Sequence, residues 1–321
     1  ELVAVAAPGA AGLLVYAAII AALGVPEARL IAHSLIRPFS GIIQPRSMAD
    51  PLADEQRPLP STLYNQDYFL EACEGFEEFI ESQGEHLSRR LAAAFAVAGI
   101  MPGMRVLDVG CGRGEILRHC ARLGADAYGI DYAEAAVNLS RAVARAENGA
   151  PGRIAVYRAD AKRLPFPDAS FDRMLLFDVV EHLYPWELQQ TLCEVRRVLR
   201  PGGRVAIHTA PNRWYDAYAY PVVRLVRTLM GQGDRYPANP RALNVAVNVD
   251  VHVNEQDPLS LRRGLRQAGV KRVRLWLDSP PQHRQEGPVL SALRRVAFGL
   301  APFRWFFERE VFAVAEKETE A

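Results

Sequence analysis

The chain is poor in cysteine and nearly without lysine. Its 321 residues include four cysteines, Cys73, Cys111, Cys120 and Cys193. They form no C-x-x-C pair and no His/Cys cluster of zinc spacing, which argues against a disulfide scaffold or a structural metal, so no metal site is expected. A reducing compartment fits that pattern. An excess of charge of one sign is also missing. Lys plus Arg number 38 against 37 Asp plus Glu, a net charge of +1, and nothing global calls for a nucleic-acid partner. The neutrality is an average, however: residues 211–310 hold 16 basic and 9 acidic side chains, and the remainder 22 and 28. Of the basic residues 35 are arginine, read first as a coding bias and second as a choice for bidentate anion contacts. With 50% hydrophobic and 23% charged residues, the chain is no disordered polymer.

Long apolar runs are scarce apart from one. Leu2 to Val25 has no charged side chain, and about 20 such residues cross a bilayer's hydrocarbon core. A buried core helix and a processed signal are the rivals. The run is long for a signal core and has no basic residue ahead of it. Arg29, His33, Arg37 and Arg46 follow it, so the positive-inside rule sets the rest of the chain on the cytoplasmic face. Residues 12–29 resemble the last transmembrane helix of polysaccharide flippases. The expected layout is therefore a transmembrane helix with its basic flank over 1–43, then a proline-rich linker over 44–61, then one domain over 62–321.

From Tyr64 onward helical and strand patterns alternate, which predicts an α/β fold around a mostly parallel, doubly wound sheet. Phe69, Cys73, Phe76, Phe79 and Ile80 recur at helical spacing, and Leu87 to Val97 continues as a second amphipathic helix. A strand over Val106–Val109 then runs into Gly110, Gly112 and Gly114, with a helix from about Glu115 to Leu123. Such glycines let the backbone approach a ligand closely, and the helix start offers it unpaired N–H groups. A second strand, Ala125 to Ile130, ends in Asp131, where an acid in this topology binds ribose hydroxyls. Further strands are predicted over Ile154–Tyr157, Asp172–Asp178, Gly203–Thr209 (after a turn at 199–203), Val270–Leu277 and Glu310–Ala315.

The segments VLDVGCGRG, GID, RADAKRLPF, FDRMLLFDVVEHL and VLRPGGRVAIHTAPN, in that order, resemble the class I S-adenosylmethionine-dependent methyltransferases, in particular the small-molecule and lipid-precursor branch. The resemblance spans Arg105 to Asn212 and implies a Rossmann-like fold with a seven-stranded sheet and S-adenosyl-L-methionine as cofactor. By the family pattern Asp108, Gly110, Cys111, Gly112 and Gly114 bound the methionine and ribose side, Asp131 takes the ribose diol, and Tyr132 lies beside the adenine. Asp160 and Ala161 contact the adenine; Phe177 and Asp178 lie near the methionine. A dehydrogenase would need a third glycine where Glu115 stands, and the Asn/Asp-Pro-Pro-aromatic motif of base methyltransferases is missing after the fourth strand.

Methyl transfer needs nucleophile and methyl carbon held about 3 Å apart in a dry site, an arrangement that can supply about 7 to 11 kcal/mol. A hydroxyl acceptor also needs a base. Candidates for catalysis are His182, at the cofactor edge, and His252, after the alternating stretch Leu243–Val251. Their bland alternatives are a helix-start residue and a plain loop residue. Glu181 reads equally as a cap or orienting group and as a group that does chemistry, and His208 as a hydrogen-bonded core histidine. Two insertions, at about 212–268 and 280–308, carry basic amphipathic stretches with aromatic residues; they read as an acceptor-binding or lipid-facing surface, or as cover for the domain's own core. The acceptor implied is a small molecule or a lipid-linked or glycan-type compound at the cytoplasmic membrane face. A soluble small-molecule O- or N-methyltransferase, and a non-catalytic cofactor-binding module fused to a transporter, are the alternatives.

Overall fold

Val106, Leu107 and Val109 are wholly buried because helices cover both faces of the strand they build, β1 (Arg105–Val109). In the computed structural model, which describes residues 57–73, 75–229, 231–243, 247–278 and 303–319, two helices precede that strand: α1 (Phe76–Ser82) and α2 (Arg89–Ala98). After it come α3 (Glu115–Arg122), β2 (Asp126–Asp131), α4 (Glu134–Ala146), β3 (Ile154–Arg158), β4 (Phe171–Phe177), α5 (Pro185–Val198) and β5 (Leu199–Thr209). The chain continues through α6 (Tyr220–Leu229), α7 (Asn248–Val251), α8 (Pro258–Gln267), β6 (Lys271–Asp278) and β7 (Glu310–Glu316). It divides into two compact units, 1–57 with 286–306 and 58–285 with 307–321, and every described strand belongs to the second.

The seven strands run in the order β3-β2-β1-β4-β5-β7-β6. Neighbours from β3 to β5 are parallel, while β7 lies antiparallel to both β5 and β6, so the sheet is mostly parallel as expected, with one reversed strand. Alternate residues of each strand feed opposite cores. Leu107, Val109 and Ile207 pack with Leu188 and Leu192 of α5 and Leu261 and Leu265 of α8. On the other side Val106, Leu175 and Phe312 meet Leu91 and Ala94 of α2 and Ile116, Leu117 and Cys120 of α3. Strand order reverses at β1 and β4, and in such sheets the crevice beyond the carboxyl ends of those two strands takes the ligand.

Several boundaries differ from the periodicity, each for a local reason. The helix predicted from Phe69 is broken into a π-helical turn, Tyr68–Ala72, and α1, because Gly75 adopts φ +72 and a Cβ there would stand 3.2 Å from the Ser88 Cβ. The next helix starts at Arg89, not Leu87: the Ser88 hydroxyl accepts from the Leu91 N–H at 3.3 Å and caps it. Residues 199–203, expected as a turn, extend β5, with the register against β4 shifting between Phe171 and Arg173. The alternating stretch before His252 ends in α7, since the sheet's edge is already filled by β6; Val251 is buried instead with Tyr64, Phe69 and Ala133. The span expected over 2–25, its flank to 43, the linker as far as 56 and the second insertion up to 302 lie outside the described residues. Among the described residues no helix is long and apolar enough to cross a membrane.

Candidate active site

The turn after β1 is anchored from below: the Gly110 and Cys111 N–H groups both donate to the Ile130 carbonyl, at 2.8 and 3.0 Å. Gly110 takes φ +74, and a Cβ on it would lie 2.6 Å from Val179 Cγ2, so only glycine lets this loop meet the turn after β4. A cavity of ≈ 380 Å³ opens beside it. Its lining brings together Asp108, Gly110, Cys111, Gly112, Asp131, Tyr132, Asp160, Ala161, Phe177, Asp178 and His182. Of the predicted residues, Gly114 and His252 are not part of that lining. Gly114 backs onto α4, where an added Cβ would stand 2.9 Å from Ser140 Cα, so its need is helix packing.

Asp131 is buried, which raises its carboxyl to about 6, while the N–H groups of Ala133 (2.9 Å) and Gly112 (3.2 Å) donate to it and favour the carboxylate. Asp108 lies deeper. Burial, with the charges of Asp131 and Glu115, pushes it up to about 8, so at neutral pH it is mostly a protonated donor. The Cys111 thiol is pushed well up by burial and lies 3.4 Å from the Ser140 hydroxyl, a packing role and not a redox one. At the far end Lys162 Nζ bridges Asp160 (3.0 Å) and Glu187 (2.7 Å).

The opposite wall was missed by sequence reasoning. Pro58, Leu59, Pro60 and Ser61, from the segment read as linker, line the cavity with Tyr64, Tyr68, Phe69 and Cys73. Arg113, which the sequence did not single out, latches this strap: its buried guanidinium donates to the carbonyls of Phe69 (2.9 Å) and Cys73 (3.3 Å) and pairs with Glu115 at 2.7 Å. The one available signal was an arginine set among glycines and followed two residues later by an acid. Tyr132 reaches the same strap through a 3.4 Å hydrogen bond to the Leu59 carbonyl.

The segment after β4 carries the ionisable groups. Asp178, at φ +54, lies 2.8 Å from Nδ1 of His208 and 3.7 Å from Arg90, and His208 Nε2 lies 3.4 Å from Glu310. Burial alone would lower His208; the Asp178 charge overrides it and raises the imidazole to about 9. Burial would likewise raise Asp178, but the His208 and Arg90 charges hold it well below the usual carboxylate range. His208 is thus a core histidine, as expected, but an ion-paired one. Glu181 is buried, accepts from the Thr209 hydroxyl at 2.8 Å, and is raised to about 8 by burial and by Asp178.

His182 is placed by a carbonyl. Val251 O lies 3.1 Å from Nδ1 and can only accept, which assigns the proton to Nδ1 and leaves Nε2 as the basic nitrogen; the Tyr64 hydroxyl lies 3.2 Å from the same Nδ1. Burial lowers His182 to about 4, so the ring is neutral at physiological pH. His252 meets it edge-on with centroids 4.9 Å apart, and burial plus His182 lower it to about 3. It faces an adjoining recess of ≈ 90 Å³, which shares Tyr68, Cys73, Asp178 and His182 with the main cavity. Glu181, His182 and His252 also bring one potential ligand atom each within 4.8 Å of one another, a grouping that has no counterpart in the spacing of His and Cys along the chain.

A sequence model described as a methyltransferase domain matches residues 107–207, the stretch that supplies β1, the glycine turn, Asp131 and the His182 segment. That stretch is similar to S-adenosylmethionine-dependent methyltransferase domains. The chain is 37% identical over 125 residues to methyltransferase GfsG of Streptomyces halstedii (39% of this chain, 43% of that protein). It is 32% identical over 136 residues to sterol 24-C-methyltransferase ERG6B of Gibberella zeae (42% and 33%) and 37% identical over 120 residues to a ubiquinone biosynthesis O-methyltransferase of Rhizobium etli (37% and 46%). The chain therefore spans less than half the length of each of these relatives. Its fold is shared by a Haloferax volcanii structure solved with the Trm112 methyltransferase activator (TM-score 0.51, 17% identity, 79% of this chain and 97% of that one). The [4+2]-cyclase SpnF shares it too (TM-score 0.50, 19% identity, 82% and 99%), so the fold by itself does not fix the reaction.

Proposed function

We propose that the chain transfers a methyl group from S-adenosylmethionine to a hydroxyl oxygen of a small-molecule or lipid-type acceptor. The observation that carries this reading is the single cavity in which the glycine turn, the Asp131 carboxylate and His182 converge. The residues present suit the cofactor. Asp131, ionised at neutral pH, would accept from ribose hydroxyls; Gly110 and Gly112, without side chains, would allow close approach; Tyr132 and Asp160 would hold the adenine, and Phe177 and Asp178 the methionine. When bound, S-adenosylmethionine supplies a methyl group activated on sulfur.

The protein's own work is to hold the acceptor, exclude water and take a proton. His182 Nε2 receives the hydroxyl proton as the acceptor oxygen gains the methyl carbon, and Val251 O steadies the imidazolium so formed. The strap from Pro58 to Cys73 supplies one wall of the cavity. His252 lies one ring further on. A lipid-type acceptor at the cytoplasmic membrane face is supported by the apolar run over 2–25 and by relatives named for sterol and ubiquinone substrates. Comparison of extracts with and without the protein for a product heavier by one methylene tests the reaction. His182→Asn is expected to slow turnover by about 10²–10⁴-fold with cofactor affinity unchanged. Equal turnover by the variant would remove His182 from the chemistry.

A further inference from the structure

The recess beside His182 has a lining unlike that of the main cavity. Three arginines from separate parts of the chain converge on it: Arg90 of α2, Arg241 from the turn Pro240–Ala242, and Arg309 just before β7. Two of their carboxylate partners stand outside it, while Asp178, 3.7 Å from Arg90, lines it. Glu310, 3.5 Å from Arg90, and Glu255, paired with Arg241, form no part of the lining, so they hold the guanidinium groups from behind. Asp178 does line the recess but is committed to His208 at 2.8 Å, and the Glu181 carboxyl is engaged by the Thr209 hydroxyl. His252 is 7% exposed, lines the recess, and has a buried Nδ1 with no hydrogen-bond partner. A buried polar nitrogen left this way carries a cost that a bound ligand would relieve.

We propose that this recess binds an anionic substituent of the methyl acceptor, a carboxylate or a phosphate, and so selects acidic hydroxy compounds. The inference rests on the methyl-transfer reading and adds the acceptor's class to it. Guanidinium forks match carboxylate and phosphate geometry, and their bonds to such anions are charge-assisted. His182 belongs to both the cavity and the recess. An acceptor anchored in the recess therefore presents its hydroxyl to Nε2 beside the methyl donor. His252 contributes Nδ1 to the anchored group or to the atoms next to it.

The test is calorimetric, on the full chain saturated with S-adenosylhomocysteine. Benzoate, phenyl phosphate, benzyl alcohol and benzylamine are titrated in turn, then repeated with Arg241→Gln, Arg309→Gln and, as a distant control, Arg263→Gln. The expected result is saturable binding of benzoate or phenyl phosphate, with neither the alcohol nor the amine binding. Whichever anion binds names the source. Each recess substitution is expected to weaken that binding about tenfold or more, and the control to leave it unchanged. Unchanged S-adenosylhomocysteine affinity reports that a variant is folded. Binding of neither anion, or anion binding indifferent to both substitutions, overturns the proposal while leaving the cofactor site intact. Failure of S-adenosylhomocysteine itself to bind overturns the methyl-transfer reading instead.

Discussion

His208→Gln removes the one titrating partner of a buried carboxylate. In the folded chain His208 is raised from its ordinary 6.5 to about 9 by Asp178, against the lowering effect of burial. A raised imidazole means that the folded state binds more protons than the unfolded state between those two values. Its contribution is therefore fully present below about pH 6.5 and is lost as pH rises through about 9. The difference corresponds to about 3 kcal/mol. Glutamine cannot titrate, and it leaves Asp178 with Arg90 at 3.7 Å as its remaining close cation. Breaking a buried pair in this way costs about 3–5 kcal/mol. Urea unfolding of both proteins, followed by tryptophan fluorescence at pH 6, 7.5 and 9, gives the gap in stability between them. Asp108, another buried acid, titrates in the same range but is common to both proteins and cancels in the difference, whereas Glu181 loses the lowering effect of the His208 charge and shifts up in the variant. The gap is expected to be largest at pH 6 and to shrink by about 3 kcal/mol by pH 9. Stability curves that run parallel across this range would refute the assignment of a protonated His208 paired with Asp178.

Two further substitutions probe the cofactor wall. Asp131→Asn keeps the side chain's shape but removes the charge that the Gly112 and Ala133 N–H groups support, and calorimetry is expected to show cofactor affinity reduced about tenfold or more. Gly110→Ala puts a Cβ 2.6 Å from Val179 Cγ2 and is expected to cost about 1–3 kcal/mol in urea unfolding, part of it recovered when Val179→Ala is added. No recovery in the double variant would show that the positive φ, and not the clash, sets the cost.

Much of the sheet was legible because buried parallel strands read as continuous apolar runs closed by turn residues. Val106–Val109 and the glycine turn are the clearest case. The cofactor residues were legible for a related reason: each follows a strand's carboxyl end, where spacing along the chain becomes position around the crevice. The strap was hidden. Pro58 to Ser61 shows no periodicity, and the strap's place beside the cavity depends on Arg113, forty residues or more along the chain, whose bonds to two carbonyls have no counterpart in pattern. The pairing of Asp178 with His208 was hidden too, since it needs β4 and β5 side by side and Asp178 in a left-handed conformation. His252 was singled out as a loop residue after an alternating stretch. That stretch ends in a short helix, and His252 faces the recess, one ring away from the cavity.

The central claim is that the glycine turn and Asp131 form an S-adenosylmethionine site. Isothermal titration of S-adenosylmethionine into the full chain, alongside Asp131→Asn, tests it most directly. The account predicts one saturable site in the unaltered chain, weakened in the variant; no heat of binding to the folded chain, or equal binding by both proteins, would contradict it.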